Sequence, residues 1–222
     1  MSKKIGILTS GGDCAGLNAV IRAVVHSADQ KGWEVIGILD GTAGLLKEEP
    51  DARKLTSREF DGTVMRMGGT ILGTTNKGDP FHFPMPDGTF KDRTGEIIAN
   101  YKKLGLDAVV GIGGDGSHAI LRKLAQVGGV PMVGIPKTID NDIGETENSV
   151  GFDTAVSVAT EALDRLQPTA ASHDRVMILE VMGRDAGHIA LATGIAGGAD
   201  VILVPEIGYD LEKIAEKIQK VK

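Results

Sequence analysis

Short apolar runs alternate with longer segments of helical period along the chain. The runs are rich in Val, Ile and Leu, whereas apolar residues in the longer segments recur at three- and four-residue spacing. Continuous apolar runs favour buried strands, and the wider spacing favours amphipathic helices. The alternation of the two predicts an α/β fold with a parallel sheet and crossover helices.

This pattern predicts where the strands and helices lie. The predicted strands are Ile5–Thr9, Val35–Leu39, Ala108–Ile112, Met132–Ile135, Val176–Glu180 and Val201–Val204. The predicted helices are Gly16–Lys31, Thr94–Leu104, Gly116–Gln126, Val150–Leu166, Asp185–Ala196 and Asp210–Lys222. The segment Gly68–Phe90 is rich in Gly, Pro, Thr and Asn, so a long loop or hairpin is predicted there.

The composition is that of a globular protein with an excess of glycine. The chain has 222 residues, of which 41% are hydrophobic and 24% are charged, and 31 are glycine. Glycine is therefore about twice as frequent as the usual share of roughly 7%. The formal net charge of −6 argues against a nucleic-acid-binding protein. The length suggests more than one domain, and the strand pattern predicts a division into residues 1–147 and 148–222.

The sequence indicates a cytoplasmic protein with no membrane partner. Its one cysteine, Cys14, cannot form a disulfide within the chain and is interpreted as a small packing residue. No stretch approaches the ~20 consecutive apolar residues of a membrane-spanning helix. The apolar run near the N-terminus is too short for a signal peptide.

Two glycine-rich segments follow predicted strands. The first extends from Gly6 to Ala19 and the second from Val110 to Ser117. Glycines before a helix let backbone N–H groups approach a phosphate. Asp115 lies among the glycines of the second segment, where its carboxylate would repel a phosphate unless a cation such as Mg²⁺ lay between them. Glycine-rich turns also serve only to pack a helix on a strand, so either segment alone leaves its function open.

Two carboxylates follow the predicted strand in Gly134–Asp142. In an extended segment, a period of two would place Asp140 and Asp142 on the same side. One of them could accept a proton while the other faces a metal, and Lys137 and Thr138 offer a charge and a hydroxyl to a phosphoryl group. The alternative is that Asp-Asn-Asp forms an ordinary Asx turn.

Two arginines precede a predicted helix in the second half of the chain. Arg184 lies at the predicted helix start, and Arg175 lies upstream in Ser-His-Asp-Arg. Arginines at such positions bind substrate phosphates or pair with carboxylates for stability. The local sequence leaves both possibilities open.

These segments together resemble the 6-phosphofructokinase family. The matching motifs, in the same order, are Gly6–Ala19, Gly68–Gly73, Gly113–Ser117, Pro136–Asp142 and Met182–Gly198, and the similarity covers all 222 residues. The resemblance implies Rossmann-like three-layer domains with parallel sheets, the second domain being incomplete. It also implies phosphoryl transfer from ATP to the 1-hydroxyl of fructose 6-phosphate, with Mg²⁺ as cofactor.

The resemblance also implies roles for individual residues. Asp140 is similar to the general base that deprotonates the attacking hydroxyl, and Asp115 is similar to the Mg²⁺ ligand. Asp142 resembles the second acidic residue near the metal. Gly11 resembles the glycine that contacts the transferred phosphoryl, and Thr138 resembles a contact to the substrate and transition state.

The donor site and its selectivity follow from the same resemblance. Gly114, Gly116 and Ser117 match the donor-binding loop, and Lys77 is a candidate for a charge that an arginine supplies in many ATP-dependent members. Gly116 resembles the ATP type, because a side chain there would intrude on the α-phosphate. Lys137 resembles the pyrophosphate type, so ATP is favoured and pyrophosphate is the alternative donor.

The sugar-phosphate site is expected in the second domain. Met182, Gly183 and Arg184 resemble the family's sugar-binding turn. Arg175 resembles the arginine that one subunit lends to the sugar phosphate of its neighbour. For a complete chain the resemblance therefore implies a homo-oligomer, either a dimer or a tetramer.

Family members continue past the point that matches Lys222, so we expect a truncated gene product or a partial sequence. A nucleotide-binding fragment without turnover is then an alternative to an active enzyme. A kinase acting on NAD or on lipids also carries Gly-Gly-Asp-Gly, but the segment Pro136–Asp142 argues against it.

Overall fold

The chain divides into two compact units, with the division between Lys137 and Thr138. The computed structural model describes residues 2–221. Met1 and Lys222, the outer ends of the two predicted domains, lie outside the described residues, as does the last residue of the predicted helix Asp210–Lys222. The predicted boundary at 147/148 and the separate roles of the two domains stay predictions.

The first unit contains most of the strands. Its strands are β1 (Lys4–Thr9), β2 (Glu34–Ile38), β3 (Ala52–Leu55), β4 (Phe83–Pro84), β5 (Phe90–Lys91), β6 (Ala108–Gly113) and β7 (Met132–Thr138), whose last residue passes the division. Its helices are α1 (Leu17–Gln30), α2 (Gly62–Arg66), α3 (Thr94–Lys103) and α4 (Asp115–Gly128). Two 3₁₀ turns, Gly41–Leu46 and Ser57–Glu59, complete the unit.

The central sheet of this unit is mostly parallel. Its strands lie in the order β3-β2-β1-β6-β7. β1 pairs in parallel with β2 and β6, and β6 pairs in parallel with β7, whereas β3 is antiparallel to β2. The predicted hairpin within Gly68–Phe90 is confirmed, because β4 and β5 form a short antiparallel pair that ends at Lys91.

Apolar residues cover both faces of the sheet. Leu8 of β1 and Val109 of β6 belong to a buried cluster that includes Ile97 of α3 and Leu121 of α4. Side chains alternate between the faces of a strand, so the buried Ile7 lies on the other face. Helix α1 packs against β2 and buries its own apolar side, which makes the unit a three-layer α/β domain of Rossmann type.

The second unit consists mainly of helices. It contains the two-residue strand β8 (Val150–Gly151) and the helices α5 (Phe152–His173), α6 (His188–Ala196) and α7 (Leu211–Val221). The predicted helix Val150–Leu166 starts two residues later than expected and continues through Pro168. The helix expected from Asp185 begins only at His188, after a turn.

The predicted strands Val176–Glu180 and Val201–Val204 are wrong. Neither segment is a strand, and no strand within residues 2–221 is hydrogen bonded to either of them. A strand exists only where a neighbour completes its hydrogen bonds, however apolar its own sequence is. Ile178 is 87% exposed, which shows that the apolar residues of the first segment are not part of a sheet core.

Candidate active site

The strand order has its switch point at the carboxyl ends of β1 and β6. From β1 the chain passes to β2 on one side of the sheet, and it later returns to β6 on the other side. Loops after two such strands diverge, and ligands of open α/β sheets bind in the resulting crevice. The two glycine-rich segments of the sequence are the loops that follow these strands.

The two loops contact each other at Gly11 and Ser117. A Cβ atom placed on Gly11 would lie 3.0 Å from the hydroxyl oxygen of Ser117 and 3.7 Å from the ammonium nitrogen of Lys137. Gly11 also has φ +85°, a backbone conformation that favours glycine. Three predicted site residues from three strand ends therefore lie together in the first unit.

Lys137 is buried next to the first loop. The side chain is 5% exposed, and its ammonium group donates a hydrogen bond to the carbonyl oxygen of Gly12. A buried ammonium is strongly destabilising unless a hydrogen-bond acceptor compensates it. The carbonyl of Gly12 supplies such an acceptor, so the charge of Lys137 lies in direct contact with the first loop.

A third segment, residues 70–77, holds the first loop from another side. The Gly11 N–H donates to the carbonyl of Thr75 at 2.9 Å, and the Thr74 hydroxyl donates to the carbonyl of Gly11 at 2.6 Å. The Thr9 hydroxyl donates to the carbonyl of Gly73 at 2.6 Å. Lys77, the candidate donor-site cation, is exposed at the end of this segment.

Thr74 was missed by the sequence interpretation. The motif Gly68–Gly73 was recognised, but the residue after it carries the hydroxyl that bonds to Gly11. The signal available in the sequence is the pair Thr74-Thr75 directly after a glycine motif, a position where hydroxyls often bond to backbone groups.

The glycines of the second loop differ in whether a side chain would fit in their place. A Cβ on Gly113 would lie 2.6 Å from the Cβ of Ser117, so this glycine is required for packing. A Cβ on Gly114 would make an ordinary contact, 3.5 Å from the carbonyl oxygen of Lys137. A Cβ on Gly116 would meet no protein atom within 4 Å, so the space beside Gly116 is open.

Asp115 is exposed at the first residue of α4. Within residues 2–221, no group of three or more His, Cys, Asp or Glu side chains is arranged to hold a metal ion. Mg²⁺ is commonly bound by one or two carboxylates together with water and substrate phosphates. The single exposed carboxylate of Asp115 fits the protein's share of a Mg²⁺ site of this kind.

The segment after β7 forms a turn. The N–H of Asp140 donates to the hydroxyl of Thr138 at 3.1 Å, and the carbonyl of Thr138 accepts a hydrogen bond from the hydroxyl of Ser149 at 2.6 Å. Asn141 has φ +54°, and its side-chain oxygen accepts from the N–H of Ser149 at 2.8 Å. These bonds hold Thr138 and Asp140 next to each other in the second unit.

The expectation of an extended segment from Asp140 to Asp142 is therefore wrong. The left-handed conformation of Asn141 breaks the two-residue alternation, so the argument that both carboxylates share one side does not hold. Asparagine adopts this conformation more easily than most residues, and here the hydrogen bonds of the Asn141 side-chain amide stabilise it. The catalytic roles of the two aspartates do not depend on that argument and stay predictions.

The predicted sugar-binding residues lie at turns of the second unit. Met182 is exposed, and Gly183 has φ +141°, with a hydrogen bond from the N–H of Ala186 to its carbonyl. A Cβ on Gly183 would lie 2.2 Å from the carbonyl oxygen of Ala186, so the turn requires glycine. Arg184 is exposed in this turn, with φ +51°, and not at a helix start as predicted.

Arg175 follows the end of α5. Asp174 has φ +50°, and the N–H of Arg175 donates to the carbonyl of Ala170 at 3.0 Å. This C-terminal cap directs the chain away from the helix axis. The side chain of Arg175 is exposed, as a residue that contacts a ligand or another subunit would be.

Cys14 is buried in the loop between β1 and α1. Burial raises the pKa of its thiol, an effect that the charge of Lys137 partly offsets. A raised pKa leaves less of the reactive thiolate at neutral pH. The structure therefore supports the interpretation of Cys14 as a packing residue.

Within residues 2–221, none of the helices is both long enough and apolar enough to cross a membrane.

Curated proteins of high sequence identity are named phosphofructokinases. The chain is 69% identical to ATP-dependent 6-phosphofructokinase 1 of Nostoc sp. over 218 aligned residues. The alignment covers 98% of this chain and 60% of that protein. It is 67% identical over 219 residues to the protein of the same name from Synechocystis sp., with the same coverage of 98% and 60%. The chain thus spans about three-fifths of the length of these relatives.

Solved phosphofructokinase structures are also similar to this chain. The structure of Pichia pastoris phosphofructokinase in the T-state superposes with a TM-score of 0.84 at 25% identity, over 99% of this chain and 23% of that chain. The sequence also matches the profile of the family described as Phosphofructokinase over residues 4–222. With nearly every residue matched by that profile and the fold shared with a solved member, the chain belongs to the phosphofructokinase family.

Proposed function

We propose that the chain carries the catalytic residues of an ATP-dependent 6-phosphofructokinase, a phosphotransferase of glycolysis that converts fructose 6-phosphate to fructose 1,6-bisphosphate. The observation that carries the proposal is the contact of two strand-end loops at Gly11 and Ser117, with the buried charge of Lys137 behind them. Two relatives with more than 60% identity are named for ATP-dependent activity, which supports ATP as the donor.

Phosphoryl transfer depends mainly on positioning and on neutralising charge. In the proposed reaction Asp140 accepts the proton of the sugar 1-hydroxyl, and Thr138 contacts the substrate beside it. Gly11 lets the first loop lie close to the transferred phosphoryl group, and Gly114, Gly116 and Ser117 hold the donor phosphates. Mg²⁺, when bound, would neutralise part of the phosphate charge, and Asp115 is its proposed ligand with Asp142 nearby.

The open space beside Gly116 supports ATP over pyrophosphate. Neither packing nor backbone conformation requires glycine at this position, since an added Cβ meets no atom and φ is not positive. In the proposed site, the bound donor needs the space that a side chain at position 116 would fill. Pyrophosphate is the second candidate donor, and the charge of Lys137 is the feature that favours it.

The remaining features of the proposal concern the second domain and the assembly. Met182, Gly183 and Arg184 are proposed to bind the sugar phosphate. Arg175 is proposed to reach the sugar phosphate of a neighbouring subunit in a homodimer or homotetramer. Lys77 is proposed to contribute charge to the donor phosphates, and a cytoplasmic location is proposed for the protein.

Replacement of Asp140 tests the proposal. We expect the unmodified chain to phosphorylate fructose 6-phosphate with ATP in the presence of Mg²⁺, and to use pyrophosphate more slowly. Loss of a general base lowers kcat by about 100- to 10,000-fold, so Asp140→Asn should reduce turnover by that amount. The measurement is a coupled assay of fructose 1,6-bisphosphate formation with each donor.

Glu145→Gln is the matched control, because it removes an exposed carboxylate from the same segment without changing side-chain size. It should retain turnover within a factor of about 2. Binding of ATP without sugar-dependent product would contradict the enzymatic proposal and favour a nucleotide-binding fragment. Faster turnover with pyrophosphate than with ATP would contradict the proposed donor.

A further inference from the structure

Two consecutive carbonyl groups of the first loop are hydrogen bonded to side chains from distant parts of the chain. The hydroxyl of Thr74 donates to the carbonyl of Gly11 at 2.6 Å. The ammonium group of Lys137 donates to the carbonyl of Gly12. Both donors belong to the first unit, and their hydrogen bonds fix the orientation of two peptide groups in a row.

Peptide geometry determines where the corresponding N–H groups point. In a trans peptide the C=O of one residue and the N–H of the next point in opposite directions. The described chain contains no cis peptide. A Gly11 carbonyl directed at Thr74 therefore points the N–H of Gly12 away from Thr74, and a Gly12 carbonyl directed at Lys137 points the N–H of Asp13 away from Lys137.

The residues that carry these two N–H groups border open space. Gly12 and Asp13 are both exposed, and a Cβ on Gly12 would meet no atom within 4 Å. The N–H of Gly11, in contrast, donates to the carbonyl of Thr75 inside the protein. Successive backbone N–H groups that face one side form an anion-binding concavity, and the Lys137 charge behind the loop favours the same kind of ligand.

We propose that Thr74 and Lys137 are positioning residues that direct the N–H groups of Gly12 and Asp13 at the transferred phosphoryl group of the donor. This inference rests on the proposed function and adds two side chains that act on the loop. Lys137 then serves an ATP site through the Gly12 carbonyl, so its presence is compatible with the open space at Gly116.

Thr74→Val tests the role of the hydroxyl. Valine keeps the branched shape of threonine but cannot donate to the Gly11 carbonyl. We expect kcat/KM for the donor to fall by roughly 10- to 100-fold, because a misoriented N–H group loses its bond to the developing charge. The KM for fructose 6-phosphate should stay within a factor of about 2.

Thr74→Ser is the conservative variant, because serine keeps the hydroxyl, and it should restore kcat/KM to within about 3-fold of the original chain. Thr89→Val removes a threonine hydroxyl from the distant β4–β5 turn and controls for the substitution itself. Equal kinetics for Thr74→Val and the original chain would overturn the inference. A fall in kcat/KM that serine does not restore would also overturn it.

Lys137→Met tests the second side chain. Methionine has a similar length but lacks both the charge and the donor group, so donor kcat/KM should fall by at least the amount seen for Thr74→Val. Circular dichroism and thermal unfolding identify whether the variant folds. If it does not fold, the inference is decided by Thr74→Val and by the spectroscopic experiment below.

Backbone NMR separates this inference from the proposed function. Titration of the ¹⁵N-labelled chain with MgATP should shift the N–H signals of Gly12 and Asp13, and Thr74→Val should reduce both shifts. Shifts of these signals without turnover would contradict the enzymatic proposal and support the inference. Turnover in the original chain without such shifts would overturn the inference and leave the enzymatic proposal intact.

Discussion

Glycines in the two loops that follow β1 and β6 are explained by different physical constraints. Gly11 has a positive φ, and an added Cβ would crowd Ser117. Gly113 is required because an added Cβ would clash with Ser117. Gly116 is subject to neither constraint, so a substitution there can change ligand binding without disturbing the fold.

Gly116→Asp should impair the use of ATP while leaving stability unchanged. An added carboxylate about 5 Å from a phosphate costs roughly 3 kcal/mol at an effective dielectric constant of ~20, which corresponds to roughly a 100-fold rise in the KM for ATP. An acidic residue in the first turn of α4 interacts favourably with the helix dipole, so the free energy of unfolding should not fall. Steady-state kinetics and chemical denaturation measure the two effects.

Gly116→Asn is the matched control, since it adds a side chain of the same size without the charge. A smaller rise in KM for the asparagine variant would show that repulsion contributes beyond size. Unchanged ATP kinetics in Gly116→Asp would contradict the placement of the donor next to this residue.

Helix α1 is joined to the loop before the hairpin by one buried side chain. Asn18 is 0% exposed, and its amide nitrogen donates to the carbonyl of Met67 at 3.1 Å. Its amide oxygen accepts from the N–H of Ile71 at 2.9 Å. This asparagine therefore satisfies two backbone groups of the segment that leads to Thr74.

Asn18→Ala should destabilise the protein by about 1–3 kcal/mol, because it removes two hydrogen bonds made by a fully buried side chain. Urea denaturation followed by circular dichroism measures the free energy of unfolding. Asn76→Ala, at an exposed asparagine, should change this free energy by less than about 0.5 kcal/mol. Equal effects of the two substitutions would show that the buried bonds contribute nothing specific.

The strands that were predicted correctly are those whose own sequence carries the signal. β1, β2 and β6 are apolar runs that are largely buried, and β7 carries a similar run although its Val133 is 61% exposed. β3 was missed because its four residues include Arg53 and Lys54, which an edge strand tolerates and an apolar pattern does not reveal. The segments 176–180 and 201–204 have the composition of strands, but pairing depends on distant residues that no local pattern specifies.

The loops of the candidate site could be predicted from the sequence, but the contacts that hold them could not. Glycine motifs indicated both loops, because a phosphate-binding turn requires small residues close in sequence. The contacts of Thr74 and Lys137 with the first loop join residues that are 63 and 125 positions apart. Such contacts follow from the topology of the sheet, so the sequence alone did not reveal them.

At the scale of the whole molecule, the two units should differ in how their backbones are protected. Central strands β1 and β6 are paired on both sides, whereas the segment 176–180 is paired with no strand within residues 2–221. Amides at the centres of β1 and β6 should therefore exchange about 1000-fold more slowly than those of 176–180, a difference of ~4 kcal/mol in opening free energy.

Hydrogen–deuterium exchange with mass spectrometry measures this difference peptide by peptide. Helix α6 provides an internal control in the second unit, because its amides are hydrogen bonded within the helix. Slow exchange in 176–180, equal to that of β6, would show that this segment has hydrogen-bond partners in solution.

The contact between Lys137 and Gly12 also constrains the order of events during synthesis. A ribosome adding 5–20 residues per second needs about 6–25 s to make the 125 residues that separate these two partners. Throughout that interval the nascent chain lacks the ammonium group that holds the Gly12 carbonyl. If the proposed function holds, a nucleotide can stabilise this turn in its final form only after β7 has been translated.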